Sequence, residues 1–142
     1  MVKSVGVIGA GQMGNGIAHV FALSGYDVLL SDISREALDK AVAVIEKNMQ
    51  RQVTKEAITE AEYQAAFAKI TTSVSLSDFD QVDLAIEAAT ENEEIKKSIF
   101  KELSGIMKPD AIMATNTSSI SVTRLASVSG RPEKFIGVHF MN

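Results

Sequence analysis

Two rhythms of hydrophobic and polar positions alternate along the 142 residues. The first is a set of short apolar runs rich in β-branched residues: Ser4 to Ile8, Tyr26 to Ser31, Lys69 to Val74, Asp83 to Ala88, Ala111 to Thr115 and Phe135 to His139. Such runs read as strands buried on both faces. The second rhythm repeats every three or four residues. Met13, Ile17, Val20 and Phe21, with Ser24, form one helix face, and Gly25 ends that helix. Leu38, Ala41, Val42, Ile45 and Met49 line a longer helix from Ser34 to Gln52, with Ser34 as its cap. Thr59 and Glu62 predict a capping box for a helix through Phe67. Ile95, Ile99, Leu103 and Ile106 predict a helix from Glu93 to Met107, stopped by Pro109, and a short helix spans Val122 to Ser127.

Strands that alternate with helices pair in parallel, because parallel neighbours need a crossover connection. The expected architecture is an α/β domain with a doubly wound, mostly parallel sheet. The charged stretch from Arg51 to Glu62 supplies a helical insertion after the second strand. The length is that of one domain.

Composition narrows the chemistry. A net charge of −4 and the lack of any Lys/Arg run argue against nucleic acid as a partner. With no cysteine, a disulfide scaffold, a thiolate metal site and a cysteine nucleophile are excluded, and no metal is expected. The apolar stretch after Lys3 is broken by glycines, Gln12, Asn15 and His19, well short of a membrane span. A soluble, cytoplasmic protein is the resulting expectation.

One motif carries specific chemistry. Gly9-Ala10-Gly11-Gln12-Met13-Gly14 is G-x-G-x-x-G, placed between the first strand and the first helix. Gly9 permits a tight turn, Gly11 lets a pyrophosphate approach the backbone, and Gly14 allows close packing of helix on strand. Free N–H groups and the dipole at the helix start favour an anion there. Asp32 ends the second strand about 18 residues beyond Gly14, where an acid binds the adenine-ribose 2′-OH. A carboxylate at that place repels a 2′-phosphate, so NAD is expected over NADP, with Arg35 nearby as the one opposing feature. Together these features predict a Rossmann dinucleotide-binding domain.

Four stretches then bring a family into view: "GVIGAGQMGNGIAHVFALSGYDVLLSD", "AIEAATENEEIKKSIF", "ATNTSSIS" and "GVHFMN". The chain resembles the 3-hydroxyacyl-CoA dehydrogenases of the bacterial 3-hydroxybutyryl-CoA type along its whole length. The resemblance implies that residues 1–142 form the amino-terminal NAD-binding domain. A helical carboxy-terminal domain, outside these residues, would complete the substrate site and form a homodimer.

The implied reaction is reversible oxidation of the C3 hydroxyl of a short-chain acyl-CoA, with hydride passing to NAD. By resemblance His139 is the base that takes the hydroxyl proton, a task suited to an imidazole. Ser118 contacts the substrate oxygen or the nicotinamide end. Gln12, Met13, Ala89, Glu91, Lys96, Asn116, Ser118 and Asn142 join Gly9, Gly11, Gly14 and Asp32 in holding the cofactor. Asn48, Arg51 and Lys55, on one helix face, are placed to meet the CoA phosphates. The partners of His139 that the family draws from further along the chain are missing here, so cofactor binding with little turnover is expected.

By pattern alone, several of these residues also fit plainer roles. His139 fits packing at a strand end, Ser118 a turn or cap hydroxyl, and Glu91 a helix-start acid. Asn48, Arg51 and Lys55 fit a solvated polar face, and His19 reads as a solvated helix residue. Two other functions stay open: a free-standing nucleotide-sensing or interaction domain, and a related 3-hydroxy acid dehydrogenase.

Overall fold

The structure is a computed structural model that describes residues 1–116 and 122–138. Six strands form one parallel sheet: β1 (Ser4–Ile8), β2 (Asp27–Ser31), β3 (Ile70–Ser73), β4 (Leu84–Glu87), β5 (Ile112–Asn116) and β6 (Phe135–Val138). Their spatial order is β3-β2-β1-β4-β5-β6. The chain winds outward from β1 to one edge, returns, and winds to the other. The order therefore reverses between β1 and β4, and a crevice opens at the carboxyl ends of those two strands.

Helices α1 (Gln12–Leu23), α2 (Arg35–Thr54), α3 (Glu60–Phe67), α4 (Glu93–Ser104) and α5 (Val122–Val128) cover the sheet. Two cores result. Val5, Val7, Val28 and Leu30 pack with Ile17, Leu38, Ile45 and Met49 of the first two helices. Ile8, Ala85 and Met113 pack with Phe79, Phe100, Leu103, Met107 and Leu125. Burying each large side chain stabilises the fold by about 1.5–3 kcal/mol.

The helix ends follow their local chemistry. Ser34 accepts the Ala37 amide at 3.1 Å, capping α2. The Thr59 hydroxyl accepts the Glu62 amide at 3.0 Å while the Glu62 carboxylate accepts the Thr59 amide at 2.8 Å, the expected capping box. Gly25 takes φ = +96° where α1 stops, a conformation that only glycine adopts freely. The expected insertion after β2 consists of α2, a turn through Glu56 and α3.

Two helix faces differ from the pattern. On α1 the buried residues are Gly14, Ile17, Ala18 and Ala22, whereas Val20 is 56% exposed. Small residues at a spacing of four let this helix lie close to the sheet, and that requirement overrides the larger side chains. His19 is only half-solvated: its Nε2 lies 2.7 Å from Gln52 Oε1, tying α1 to α2. On α4 the inward residues are Lys96, Phe100 and Leu103, followed by Met107 beyond the helix end. Ile95, a core residue by its spacing, is 49% exposed.

Candidate functional site

The crevice begins at the glycine turn. Gly9 has φ = +109°, and a Cβ there would strike Ala88 and Ala89 of the neighbouring strand's extension. A Cβ on Gly14 would overlap the Gly9 carbonyl oxygen, so the helix can meet the turn only as glycine. Around Gly11 the space is open. Gly11 is the N-cap of α1 and gives this helix end no side-chain cap. Among the described residues, the amides of Gln12 and Met13 meet no acceptor. A cluster of free N–H groups at a helix start suits a diphosphate.

Asp32 stands at the end of β2 and holds two loops. Its Oδ2 accepts the Ala10 amide at 2.9 Å, and its Oδ1 accepts the Ser34 amide at 2.9 Å. The carboxylate is therefore fixed in orientation, with lone pairs left for a ribose hydroxyl. Arg35 Nη1 donates to Thr72 Oγ1 at 3.0 Å.

Two cavities flank the turn. The first, of about 310 Å³, is lined by Gly9, Asp32, Ile33, Val74, Leu76, Ala89, Thr90, Ile95 and Ile99. Ile33 is 96% exposed on its rim, and Val74 and Ile95 are each about half exposed. Its apolar walls fit a flat heteroaromatic ring beside the Asp32 carboxylate. The second cavity, of about 290 Å³, is lined by Gly11, Gln12, Met13, Ala88, Ala89, Thr90, Glu91 and Asn116. Its lining is the more polar of the two. Ala89 and Thr90 line both cavities and so form the partition between them.

Most of the sequence-derived cofactor residues converge here: Gly9, Gly11, Gln12, Met13, Asp32, Ala89, Glu91 and Asn116 line one cavity or the other, with Gly14 directly behind the turn. Lys96 differs. It is 2% exposed, lines neither cavity, and its Nζ donates to Glu87 Oε1 at 2.5 Å. Its place in the α4 face turns it toward the sheet. Asn48 is half-buried, Arg51 and Lys55 are exposed, and none of the three lines either cavity. Ser118, His139 and Asn142 lie outside the described residues.

Sequence reasoning missed the apolar slot of Ile33, Val74, Leu76, Ile95 and Ile99, and it missed Glu87 and Thr115. The slot carried a signal, an isoleucine pair on α4 one position out of step with Lys96 and Phe100. Glu87 carried none, since an acid in a strand-like run marks no chemistry on its own.

The shifted titrations lie away from the crevice floor. Asp83, at the amino end of β4 and so at the opposite end of the strands from the crevice, is held well below the usual carboxylate range by the Lys108 ammonium and then by the Lys3 and Ser4 amides. Glu93, at the first turn of α4, is lowered to about 2, first by the Arg124 guanidinium and then by Lys97. That guanidinium binds both carboxylate oxygens, at 3.0 and 2.7 Å, linking α4 to α5. No cluster of three or more His, Asp or Glu side chains able to hold a metal occurs among the described residues. No helix among them is long and apolar enough to cross a membrane.

A glycine turn onto an uncapped helix, an acid closing β2 and a crevice where the strand order reverses define a dinucleotide-binding α/β domain. Comparison with known proteins gives the family. Residues 4–142 match the family "3-hydroxyacyl-CoA dehydrogenase, NAD binding domain", and the chain belongs to it. It is 54% identical over 142 residues to 3-hydroxybutyryl-CoA dehydrogenase of Bradyrhizobium diazoefficiens, covering 48% of that protein. The crystal structure of (S)-3-hydroxybutyryl-CoA dehydrogenase from Ralstonia eutropha superposes with a TM-score of 0.96 at 46% identity, over 100% of this chain and 50% of that one. The structure of 3-hydroxybutyryl-CoA dehydrogenase from Escherichia coli K12 superposes with a TM-score of 0.97 at 39% identity, over 100% of this chain and 30% of that one. The chain spans about half the length of the first curated relatives it matches.

Proposed function

We propose that this NAD-binding domain serves the reversible oxidation of a short-chain 3-hydroxyacyl-CoA, such as 3-hydroxybutyryl-CoA, to the 3-keto form. The observation that carries this reading is the convergence of the Gly9–Gly14 turn, the fixed Asp32 carboxylate and the two-part cavity in one crevice. The α1 amides would take the diphosphate, Asp32 the adenine ribose, and the apolar slot the adenine. Gln12, Met13, Glu91 and Asn116 surround the other half. Bound there, NAD supplies the hydride acceptor for the C3 carbon.

The chain's own residues would then manage the proton. His139, next in sequence after β6, would take the proton of the C3 hydroxyl. Ser118, two positions after β5 in the sequence, would donate a hydrogen bond to the oxygen on which charge develops. Both roles rest on the family likeness of "NTSS" and "HFMN". Asn142 would sit at the nicotinamide end, and Asn48, Arg51 and Lys55 would draw the CoA phosphates to α2. A helical domain pairing two copies of the enzyme would close the site in a cytoplasmic homodimer.

The test is calorimetric titration of the chain with NAD, NADH and NADP, beside acetoacetyl-CoA reduction. NAD and NADH should bind, NADP more weakly, and turnover should be slight without the helical domain. A chain that ignores all three dinucleotides would end this reading. Preference for NADP would remove the role given to Asp32.

A further inference from the structure

The partition between the two cavities rests on a buried polar group that neither the glycine motif nor the cofactor residues include. Glu87, the last residue of β4, has no solvent exposure, and Thr115 on the adjacent strand has none either. Three donors converge on the Glu87 carboxylate. Oε1 accepts Lys96 Nζ at 2.5 Å and Thr115 Oγ1 at 2.9 Å. Oε2 accepts the backbone amide of Ala89 at 2.8 Å. Each polar side chain of this network therefore has a partner, and the ammonium and carboxylate cancel in charge.

Its location gives the network its meaning. Glu87 pairs in register with Ile8 on one side and Thr115 on the other, at the point where the strand order reverses. The next residue, Ala88, donates its amide to the Ile8 carbonyl at 2.8 Å. Ala89 then lies where a Cβ on Gly9 would be, and it lines both cavities. The side chain that grips the Ala89 amide from below is Glu87. Burying two charges is expensive, and an apolar trio would fill the same space at less cost. An apolar trio would leave the Ala89 amide without that acceptor.

We propose that Glu87 is a positioning residue for the cofactor, acting through the Ala89 amide, with Lys96 and Thr115 holding its carboxylate. The inference deepens the NAD-binding reading and depends on it.

Two double variants separate the possibilities, because both remove the charge pair. Glu87→Gln with Lys96→Met keeps an acceptor for Ala89, whereas Glu87→Leu with Lys96→Met does not. Affinity for NAD is measured calorimetrically at a temperature where circular dichroism shows each variant folded. The Leu/Met chain should bind NAD at least about tenfold more weakly than the Gln/Met chain, a difference of roughly 1.4 kcal/mol. Equal binding by both would overturn the proposal. A native chain that binds no NAD would instead sink the underlying functional reading. Amide exchange of the native chain gives a check without any substitution: the Ala89 amide should exchange slowly before NAD is added, and rapid exchange there would refute its capture by Glu87.

Discussion

The crevice has two walls, and they are held in opposite ways. The turn from β1 into α1 is shaped by what it lacks: Gly9 and Gly14 fit because no Cβ intrudes, and α1 is left uncapped. The facing segment from Ala88 to Glu91 is shaped by what lies under it, a buried charge pair whose carboxylate accepts from three donors. A pyrophosphate site needs backbone amides that are free, so one wall must be stripped of side chains. The other wall must then keep a fixed distance without help from the first. A buried carboxylate that accepts a loop amide does this, since it cannot move without abandoning its other two partners.

The largest test of that contrast is to orphan the buried carboxylate. Lys96→Ala should cost about 3–5 kcal/mol of folding stability, because it leaves an unpaired charge in the core. Urea denaturation measures the loss, and a change near zero would mean that the pair is not closed in the folded protein. The turn should suffer somewhat less in stability but more directly in function. Gly14→Ala forces the helix away from the Gly9 carbonyl, at about 1–3 kcal/mol as overpacking, and should abolish measurable NAD binding. Retained affinity would show that the turn can shift without closing the diphosphate site.

Asp32→Ala sits between the two walls. It removes acceptors for the Ala10 and Ser34 amides as well as the ribose partner, so NAD affinity should fall about tenfold, near 1.4 kcal/mol. The ratio of NAD to NADP affinity should fall with it, since the repelling charge is gone. An unchanged ratio would place the discrimination elsewhere, with Arg35 the next residue to change.

The smallest effect sharpens the contrast between buried and exposed pairs. Glu93 and Arg124 are partly solvated, and Glu93 is lowered from its ordinary value of 4.5 to about 2. A carboxylate depressed by folding adds stability that is complete above about pH 4.5 and fades as pH falls toward 2. The stability difference between native and Glu93→Gln chains should therefore shrink on acidification across that window. At neutral pH it should be small, as exposed pairs usually are. A difference that stays constant from pH 5 to pH 2 would show that folding does not lower Glu93.

The same division accounts for what could be read from the residues alone. The glycine turn, Asp32, the Ser34 cap and the Thr59/Glu62 box are local devices whose parts lie within a few positions, or at a fixed offset, along the chain. The sheet followed from the alternating rhythms. The Glu87 network was hidden because its members come from β4, α4 and β5, and a lysine enters a core only when a partner meets it there. Ile95 and Ile99 resemble core residues in the sequence because apolarity does not say whether protein or ligand will cover it. Val20 departs from the pattern for a steric reason: the tight approach that Gly14 permits continues along Ala18 and Ala22, and pushes the larger residue outward. Ser118, His139 and Asn142 lie outside the described residues, so their part in the site stays a proposal.

The water-exposed isoleucine and valine rim of the first cavity has a thermodynamic consequence. Covering Ile33, Val74 and Ile95 on cofactor binding would release water from apolar surface, and such release gives association a negative heat-capacity change. The enthalpy of NAD binding should therefore grow more exothermic as the calorimeter is warmed, and substituting serine for Ile33 should flatten that slope while leaving the diphosphate's share of the heat intact.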